Sequence, residues 1–133
     1  MPNSLPQQLI ALVVEDEPEL QEIYRTVLQA EGWEVRVADN GERALHLFES
    51  NRVQMMVVDF LLPKLDGVRF IEETTKIRKT PTIFASAVMR DEVTKRRLQS
   101  LGVQWFLEKP FRLTTLRKTV HEIQNQYLNE ALA

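Results

Sequence analysis

The sequence alternates five times between a short apolar run and a longer segment in which apolar residues recur every three or four positions. Short apolar runs bounded by turn residues are typical of buried strands, and the three-to-four spacing is typical of amphipathic helices. Strands that alternate with helices indicate a parallel sheet with helices packed on both faces. We therefore predict an α/β fold built on a doubly wound five-stranded sheet.

The five apolar runs differ in a way that ranks their positions in the sheet. Leu9–Val14, Met55–Val58 and Thr82–Ala87 are nearly continuous apolar stretches, as expected of strands covered on both faces. Residues 34–37 instead alternate charged and apolar side chains, which is typical of a half-exposed edge strand. We predict that the first, third and fourth strands are central, that the second lies at an edge, and that residues 105–107 form the fifth.

The helical segments carry apolar stripes of unequal strength, thin in the fourth helix and clearest in the fifth. Asp39 or Asn40 is suited to cap the second helix and Asp91 the fourth. Gly32 and Gly102 are suited to end the first and fourth helices. The predicted stripes are Leu20, Tyr24, Val27 and Leu28; Ala44, Leu45 and Phe48; Val68, Ile71 and Thr74; Val93, Leu98 and Leu101; and Leu113, Leu116, Val120, Ile123 and Tyr127.

Composition narrows the class of protein. A chain of 133 residues, 44% hydrophobic and 27% charged, is ordinary for one globular domain. The sequence has no cysteine, which excludes disulfides and thiolate metal sites. No apolar run is long enough to cross a bilayer, and we expect no signal peptide, because the first residues show no basic region followed by a long apolar stretch. A net charge of −2 provides no general attraction to nucleic acid or anionic membrane. We expect a cytoplasmic domain over residues 9–127, a loose leader over 1–8, and a C-terminal tail or linker over 128–133.

Polar residues follow four of the five predicted strands. Glu15 and Asp16 follow the first strand, Asp59 follows the third, Ser86 lies near the end of the fourth, and Lys109 follows the fifth. In open sheets of this kind, ligands bind beyond the carboxyl ends of the strands. Each residue alone has a structural explanation as a helix cap, a turn residue or a surface lysine, but their joint occurrence at one edge predicts a site.

This set of side chains meets the chemical demands of phosphoryl transfer. A carboxylate nucleophile can form an aspartyl phosphate, and crowded carboxylates can share Mg²⁺, which prefers oxygen ligands. An ammonium and a hydroxyl can stabilise charge on the phosphoryl oxygens.

The residues that carry this chemistry lie in four segments, VVEDEP (13–18), VVDFLLPKLDG (57–67), PTIFASA (81–87) and WFLEKPF (105–111). Together they resemble the receiver domain of bacterial two-component response regulators over residues 9–125. The resemblance implies a flavodoxin-like (βα)5 fold with the strand order 2-1-3-4-5, as in chemotaxis regulators. It also implies a cis peptide bond between Lys109 and Pro110.

The resemblance assigns a role to each residue of the predicted site. Asp59 would be the phosphoacceptor, and Ser86 and Lys109 would bind the phosphoryl group. On phosphorylation, Ser86 would move toward that group and Phe106 would turn inward, changing the surface of the fourth helix, fifth strand and fifth helix. The implied ligands of Mg²⁺ are Glu15, Asp16, Asp59 and the backbone carbonyl of Leu61.

The residues two positions after Asp59 and two positions after Ser86 are both apolar, Leu61 and Val88. Leu61 and Val88 stand where the family's side chains flank the phosphoryl group, and neither can orient an attacking water. We therefore predict a long-lived phosphorylated state. The run Lys95, Arg96 and Arg97 in the fourth helix is interpreted either as a solvated face or as a docking surface for an acidic partner.

The resemblance predicts a signalling module phosphorylated by a sensor histidine kinase or a histidine phosphotransfer protein. It would act on a downstream protein, bind no nucleic acid directly, and assist its own phosphorylation without turning over an external substrate, so we do not expect an enzyme. The resemblance does not decide whether the protein forms a homodimer. It also does not decide whether the protein is a stand-alone regulator or the receiver of a longer protein. The alternative is a Mg²⁺-dependent phosphohydrolase that forms an aspartyl phosphate. Such enzymes, similar to haloacid dehalogenases, carry a second acid two residues after the nucleophile, where this chain has Leu61.

Overall fold

The structure of the chain is a computed structural model that describes residues 9–60, 65–87 and 92–132, with residues 127–132 described by their backbone alone. Within these residues, five strands alternate with five helices. The elements are β1 (Ile10–Val14), α1 (Pro18–Ala30), β2 (Glu34–Ala38), α2 (Gly41–Ser50), β3 (Val53–Asp59), α3 (Gly67–Ile77), β4 (Thr82–Ser86), α4 (Glu92–Ser100), β5 (Trp105–Glu108) and α5 (Leu113–Leu132).

The strands form one parallel sheet in the order β2-β1-β3-β4-β5. This order confirms the predicted flavodoxin-like α/β fold, with β1, β3 and β4 inside the sheet and β2 at an edge. The nearly continuous apolar runs are therefore the strands that are covered on both faces, as parallel sheets require.

The sheet separates two apolar layers. Successive residues of β1 point to opposite faces, so Ala11 and Val13 join one buried cluster while Leu12 and Val14 join the other. The first layer also contains buried residues of α1 and α5, and the second contains those of α2, α3 and α4. This burial holds the central strands, and the side chains that follow them, in fixed register.

Helix ends follow the side chains available to them. Asn40 caps α2 by accepting a hydrogen bond from the amide of Arg43 at 2.9 Å, as one of the two predicted caps should. Asp66 caps α3 in the same way through the amide of Arg69, and this cap was not predicted. Gly32 at φ 95° lies past the end of α1, in the left-handed region that suits a glycine. The predicted cap Asp91 lies outside the described residues.

Two residues of the predicted apolar stripes are exposed. Val93 in α4 is 78% exposed, whereas Leu98 in the same helix is fully buried. Five positions correspond to a rotation of roughly 140° around a helix, so these two residues cannot face the same neighbour. Leu113, the first residue of α5, is 49% exposed and lies at the rim of a groove beside Ile23 and Val27 of α1. For Val93 and Leu113 the predicted stripes were wrong.

The chain termini bear on the predicted domain boundaries. α5 runs to Leu132, so residues 128–132 continue this helix, while the leader over residues 1–8 lies outside the described residues. The boundaries themselves stay predictions. No helix in the described part of the chain is both long and apolar enough to cross a membrane.

Candidate functional site

The strand register brings the predicted site residues to one edge of the sheet. Val14 of β1 lies beside Val58 of β3, so the residues that follow them, Glu15 and Asp59, are neighbours. Asp59 in turn lies beside Ala85 of β4. Because parallel strands end at the same edge, four segments that are distant in sequence deliver polar side chains to one place.

Lys109 joins the two buried carboxylates of this edge. Its Nζ donates to Oε1 of Glu15 at 2.9 Å and to Oδ1 of Asp59 at 3.0 Å. Glu15 is 1% exposed and Asp59 is 8% exposed. A shared, largely buried ammonium is therefore the direct partner of both acids.

Asp16 completes an acidic cluster with Glu15 and Asp59. One carboxylate oxygen from each residue lies within 4.8 Å of the others. Glu15 and Asp59 are buried and Asp16 is exposed, so the cluster opens to solvent on the Asp16 side. Three carboxylates and one ammonium, Lys109, give a formal charge of −2, which one divalent cation would balance. Oxygen donors open to solvent also suit Mg²⁺, because it keeps several of its waters.

The electrostatics of the buried groups reflect this crowding. Burial raises the pKa of Glu15, although its hydrogen bond from Lys109 opposes the rise. Burial likewise raises the pKa of Asp59 against the effect of Lys109, and the charge of Asp16 adds to the rise. Burial lowers the pKa of Lys109, but its bonds to the two carboxylates outweigh that effect and the pKa is raised overall. The acids are thus costly to ionise in the absence of a further cation.

Three contacts that were not predicted from the sequence support the acids. The amide of Glu17 donates to Oε2 of Glu15 at 3.2 Å, and Nε2 of Gln21 donates to the Glu15 carbonyl at 2.6 Å. Gly67 packs so closely behind Asp59 that an added Cβ would lie 2.6 Å from the Asp59 carbonyl oxygen. The glycine that follows Asp66 was visible in the sequence, but nothing there indicated which backbone it approaches.

The residues predicted to act in the switch lie in the two strands that follow β3 in the sheet. Ser86, at the end of β4, is 1% exposed, and Phe106 of β5 is half-buried. The ammonium of Lys95 lies 5.3 Å from the centre of the Phe106 ring, within the range of a cation–π contact. The bond between Lys109 and Pro110 is cis, which confirms that prediction. Leu61 and Val88 lie outside the described residues.

The basic run of α4 is not uniform. Nε and Nη2 of Arg97 donate to one carboxylate oxygen of Glu72 in α3, at 3.2 and 2.9 Å. Lys95 covers the Phe106 ring, and Arg96 is exposed. Arg97 therefore ties α4 to α3, which leaves Lys95 and Arg96 as the better candidates for contact with a partner.

Sequence comparison finds relatives over most of the chain. Residues 11–121 match the family described as the response regulator receiver domain. The response regulator GtcR of Aneurinibacillus migulanus is 34% identical over 75% of this chain. The transcriptional regulatory proteins TrcR of Mycobacterium tuberculosis and CpxR of Klebsiella pneumoniae are 35% and 30% identical over 79% and 90% of this chain. The chain spans only 41%, 41% and 54% of the length of these three relatives.

Solved structures with the same fold include the receiver domain of a Francisella response regulator, which is 27% identical in sequence. The match has a TM-score of 0.80 and covers 90% of this chain and 99% of that one. A CheY from Borrelia burgdorferi, solved as a CheX–CheY–BeF₃–Mg²⁺ complex, is 20% identical with a TM-score of 0.79 over 86% of this chain and 88% of that one. The second likeness shows the fold alone.

Proposed function

We propose, since the chain belongs to the family of response regulator receiver domains, that Asp59 is its phosphoacceptor and that phosphorylation changes its α4–β5–α5 surface. Receiver domains of two-component response regulators are phosphorylated on an aspartate. The observation that carries the proposal is the position of the Asp59 carboxylate at the end of β3, inside the acidic cluster and 3.0 Å from the Lys109 ammonium.

The side chains at this edge account for the transfer step. A carboxylate oxygen of Asp59 attacks the phosphorus of the donor, a P–O bond to Asp59 forms, and the bond from phosphorus to the leaving group breaks. The leaving group keeps that electron pair. Lys109 is placed to balance negative charge on the phosphoryl oxygens, and Ser86, at the end of the neighbouring strand β4, can supply a hydroxyl donor.

The acidic cluster is the proposed site for Mg²⁺, with Glu15, Asp16 and Asp59 as the side chains that would hold it. Receiver domains bind Mg²⁺ at an acidic site. The proposed set includes the backbone carbonyl of Leu61, which lies outside the described residues. When bound, the ion would neutralise charge on the phosphoryl oxygens and the attacking carboxylate.

The proposed switch uses Ser86 and Phe106. A phosphoryl group on Asp59 would attract the Ser86 hydroxyl, and Phe106 would turn into the space that it leaves. In α4 only Leu98 is buried among the described residues, so little apolar burial opposes a shift of this helix. The phosphoryl group would then bias an equilibrium between two arrangements of α4 and β5.

The proposed phosphodonor is a sensor histidine kinase or a histidine phosphotransfer protein, and a cytoplasmic location is part of the proposal. The proposed output is contact with a downstream protein, without direct binding of nucleic acid. Formation of a homodimer is a further proposal.

Lys95 and Arg96 are the proposed contacts for an acidic partner. Charge reversal at both residues should weaken partner binding, and the same change at Arg43, an exposed residue of α2 outside this surface, is the control. Unchanged partner binding would indicate that the basic run of α4 is a solvated face and not a docking surface.

The family match does not favour the alternative of a phosphohydrolase. We propose that the only reaction is the gain and loss of the protein's own phosphoryl group. Leu61 and Val88 should make that loss slow. Leu61→Asn and Val88→Glu should each speed hydrolysis of the phosphorylated protein, and a wild type that hydrolyses faster than both would overturn this expectation.

Labelling with acetyl phosphate and Mg²⁺ tests the function. Intact-protein mass should show one added phosphoryl group on the wild type, none on Asp59→Asn, and one on Asp39→Asn, which makes the same change at an exposed residue after β2. Labelling of Asp59→Asn equal to that of the wild type would refute the proposal, as would an unlabelled wild type.

A further inference from the structure

Tyr24 in α1 has a buried hydroxyl without a hydrogen-bond partner. The residue is 1% exposed, and among the described residues its hydroxyl oxygen is the only buried side-chain nitrogen or oxygen that forms no hydrogen bond. Buried polar groups are almost always satisfied, so an exception calls for a physical explanation. A phenylalanine would fill the same apolar space without this penalty.

The ring of Tyr24 lies close to the phosphorylation site. It stacks on Phe111, with ring centres 5.6 Å apart and planes 24° apart, and Phe111 follows Lys109 by two residues. Burial raises the pKa of the Tyr24 phenol, and the charges of Glu15 and Asp59 raise it further. Tyr24 lies one turn of α1 after Gln21, whose Nε2 donates to the Glu15 carbonyl at 2.6 Å, so both residues lie on the side of α1 that is turned to Glu15. The Tyr24 hydroxyl itself donates to neither acid.

Glu15 depends on a donor that is shared. Its Oε1 accepts from Lys109 at 2.9 Å, and the same ammonium donates to Asp59 at 3.0 Å. A phosphoryl group on Asp59 adds negative charge next to that ammonium and draws it away from Glu15. Oε1 of Glu15, a residue that is 1% exposed, would then lose its donor, and a buried carboxylate oxygen that the proposed Mg²⁺ does not contact needs another one.

We propose that Tyr24 is a positioning residue for Glu15, whose carboxylate accepts a hydrogen bond from the Tyr24 hydroxyl, directly or through one water, when Lys109 turns to the phosphoryl group. The inference rests on the proposed function of Asp59. It gives the unsatisfied hydroxyl of the unphosphorylated protein a partner in the phosphorylated one. Tyr24 does not touch the reacting atoms, so it acts only through Glu15.

A double-mutant cycle tests this role, with the initial rate of labelling by acetyl phosphate and Mg²⁺ as the readout. Tyr24→Phe should slow labelling about tenfold, the effect of one hydrogen bond to a charged group. In the Glu15→Gln background the same change should alter the rate less than about twofold, because the carboxylate it serves is gone. A residue with a merely structural role would give no such coupling.

Tyr127→Phe is the matched control, since it makes the same change at the other tyrosine of the chain, and it should label at the wild-type rate. Equal rates for Tyr24→Phe and the wild type would overturn the inference while leaving the function of Asp59 intact. Equal slowing by Tyr24→Phe in both backgrounds would overturn it as well. A wild type that is not labelled refutes the proposed function itself, so the two failures are distinguishable.

Discussion

Replacing Lys109 by methionine removes the ammonium that contacts both buried acids while keeping an unbranched apolar stem. The two contacts, at 2.9 and 3.0 Å, each correspond to a gross attraction of about 5–6 kcal/mol at an effective dielectric constant near 20. Desolvation offsets much of this, and removing one partner of a buried ion pair costs about 3–5 kcal/mol. We expect about 3 kcal/mol, the lower end, because the cluster opens to solvent at Asp16.

The loss should depend on pH in a definite direction. Burial raises the pKa of Glu15 and Asp59, and without the ammonium the rise should be larger. An acid whose pKa is higher in the folded protein lowers the free energy of unfolding as pH rises from its unfolded pKa to its folded pKa, and protonation removes this cost. The pKa of Lys109 is raised from 10.5, so this lysine stays charged in the wild type between pH 5 and 8. The deficit of Lys109→Met should therefore be largest at pH 8 and shrink toward pH 5.

Urea denaturation without divalent cations, at pH 8 and at pH 5.5, measures the free energy of unfolding in both states of the acids. The control is Lys118→Met, the same substitution at an exposed residue of α5, for which we expect a change within about 0.5 kcal/mol. In thermal denaturation at pH 8, the melting temperature of Lys109→Met should be about 10 °C below that of the wild type for a domain of this size. A deficit that is equal at the two pH values, or no larger than that of the control, would refute the electrostatic account.

Other substitutions probe single contacts. Tyr24→Phe should raise the free energy of unfolding of the metal-free protein by about 1 kcal/mol, because it removes a buried hydroxyl with no partner among the described residues; a loss of stability in urea denaturation would contradict this. Gly67→Ala places a Cβ 2.6 Å from the Asp59 carbonyl oxygen, so we expect a loss of about 1–3 kcal/mol and slower labelling by acetyl phosphate. Asn40→Ala removes the cap on the amide of Arg43 and should cost about 1 kcal/mol while leaving the labelling rate unchanged.

The fold and the composition of the site could be predicted from the sequence, because both follow from the spacing of apolar residues and from the order of the strands. Continuous apolar runs marked β1, β3 and β4 as central, and the parallel arrangement then placed Glu15, Asp59, Ser86 and Lys109 at one edge. No side-chain geometry was needed for that step, because the carboxyl ends of parallel strands lie together whatever residues follow them.

Features that depend on individual side-chain partners could not be predicted in this way. Glu72 and Arg97 are 25 positions apart, so their ion pair is set by how α3 and α4 pack. Tyr24 belonged to a correctly predicted apolar stripe, but the stripe could not show that its hydroxyl would stay without a partner. The exposure of Val93 depends on the face that α4 turns to the sheet, and a stripe as thin as this one does not determine that face.

The acidic cluster opposes local stability, and the surrounding sheet makes it tolerable. Glu15 and Asp59 are neighbours only because β1 and β3 are held in register between two apolar layers, so the burial of the core offsets the repulsion between them. Such local conflicts are expected where a protein binds or reacts. Because the remaining charge is −2, a divalent cation or a neutral residue at Asp59 would relieve the same repulsion. Repulsion within the acidic cluster is therefore the cause both of the affinity for a divalent cation and of the loss of stability in its absence. A substitution that lowers the affinity for the cation should also reduce this loss of stability.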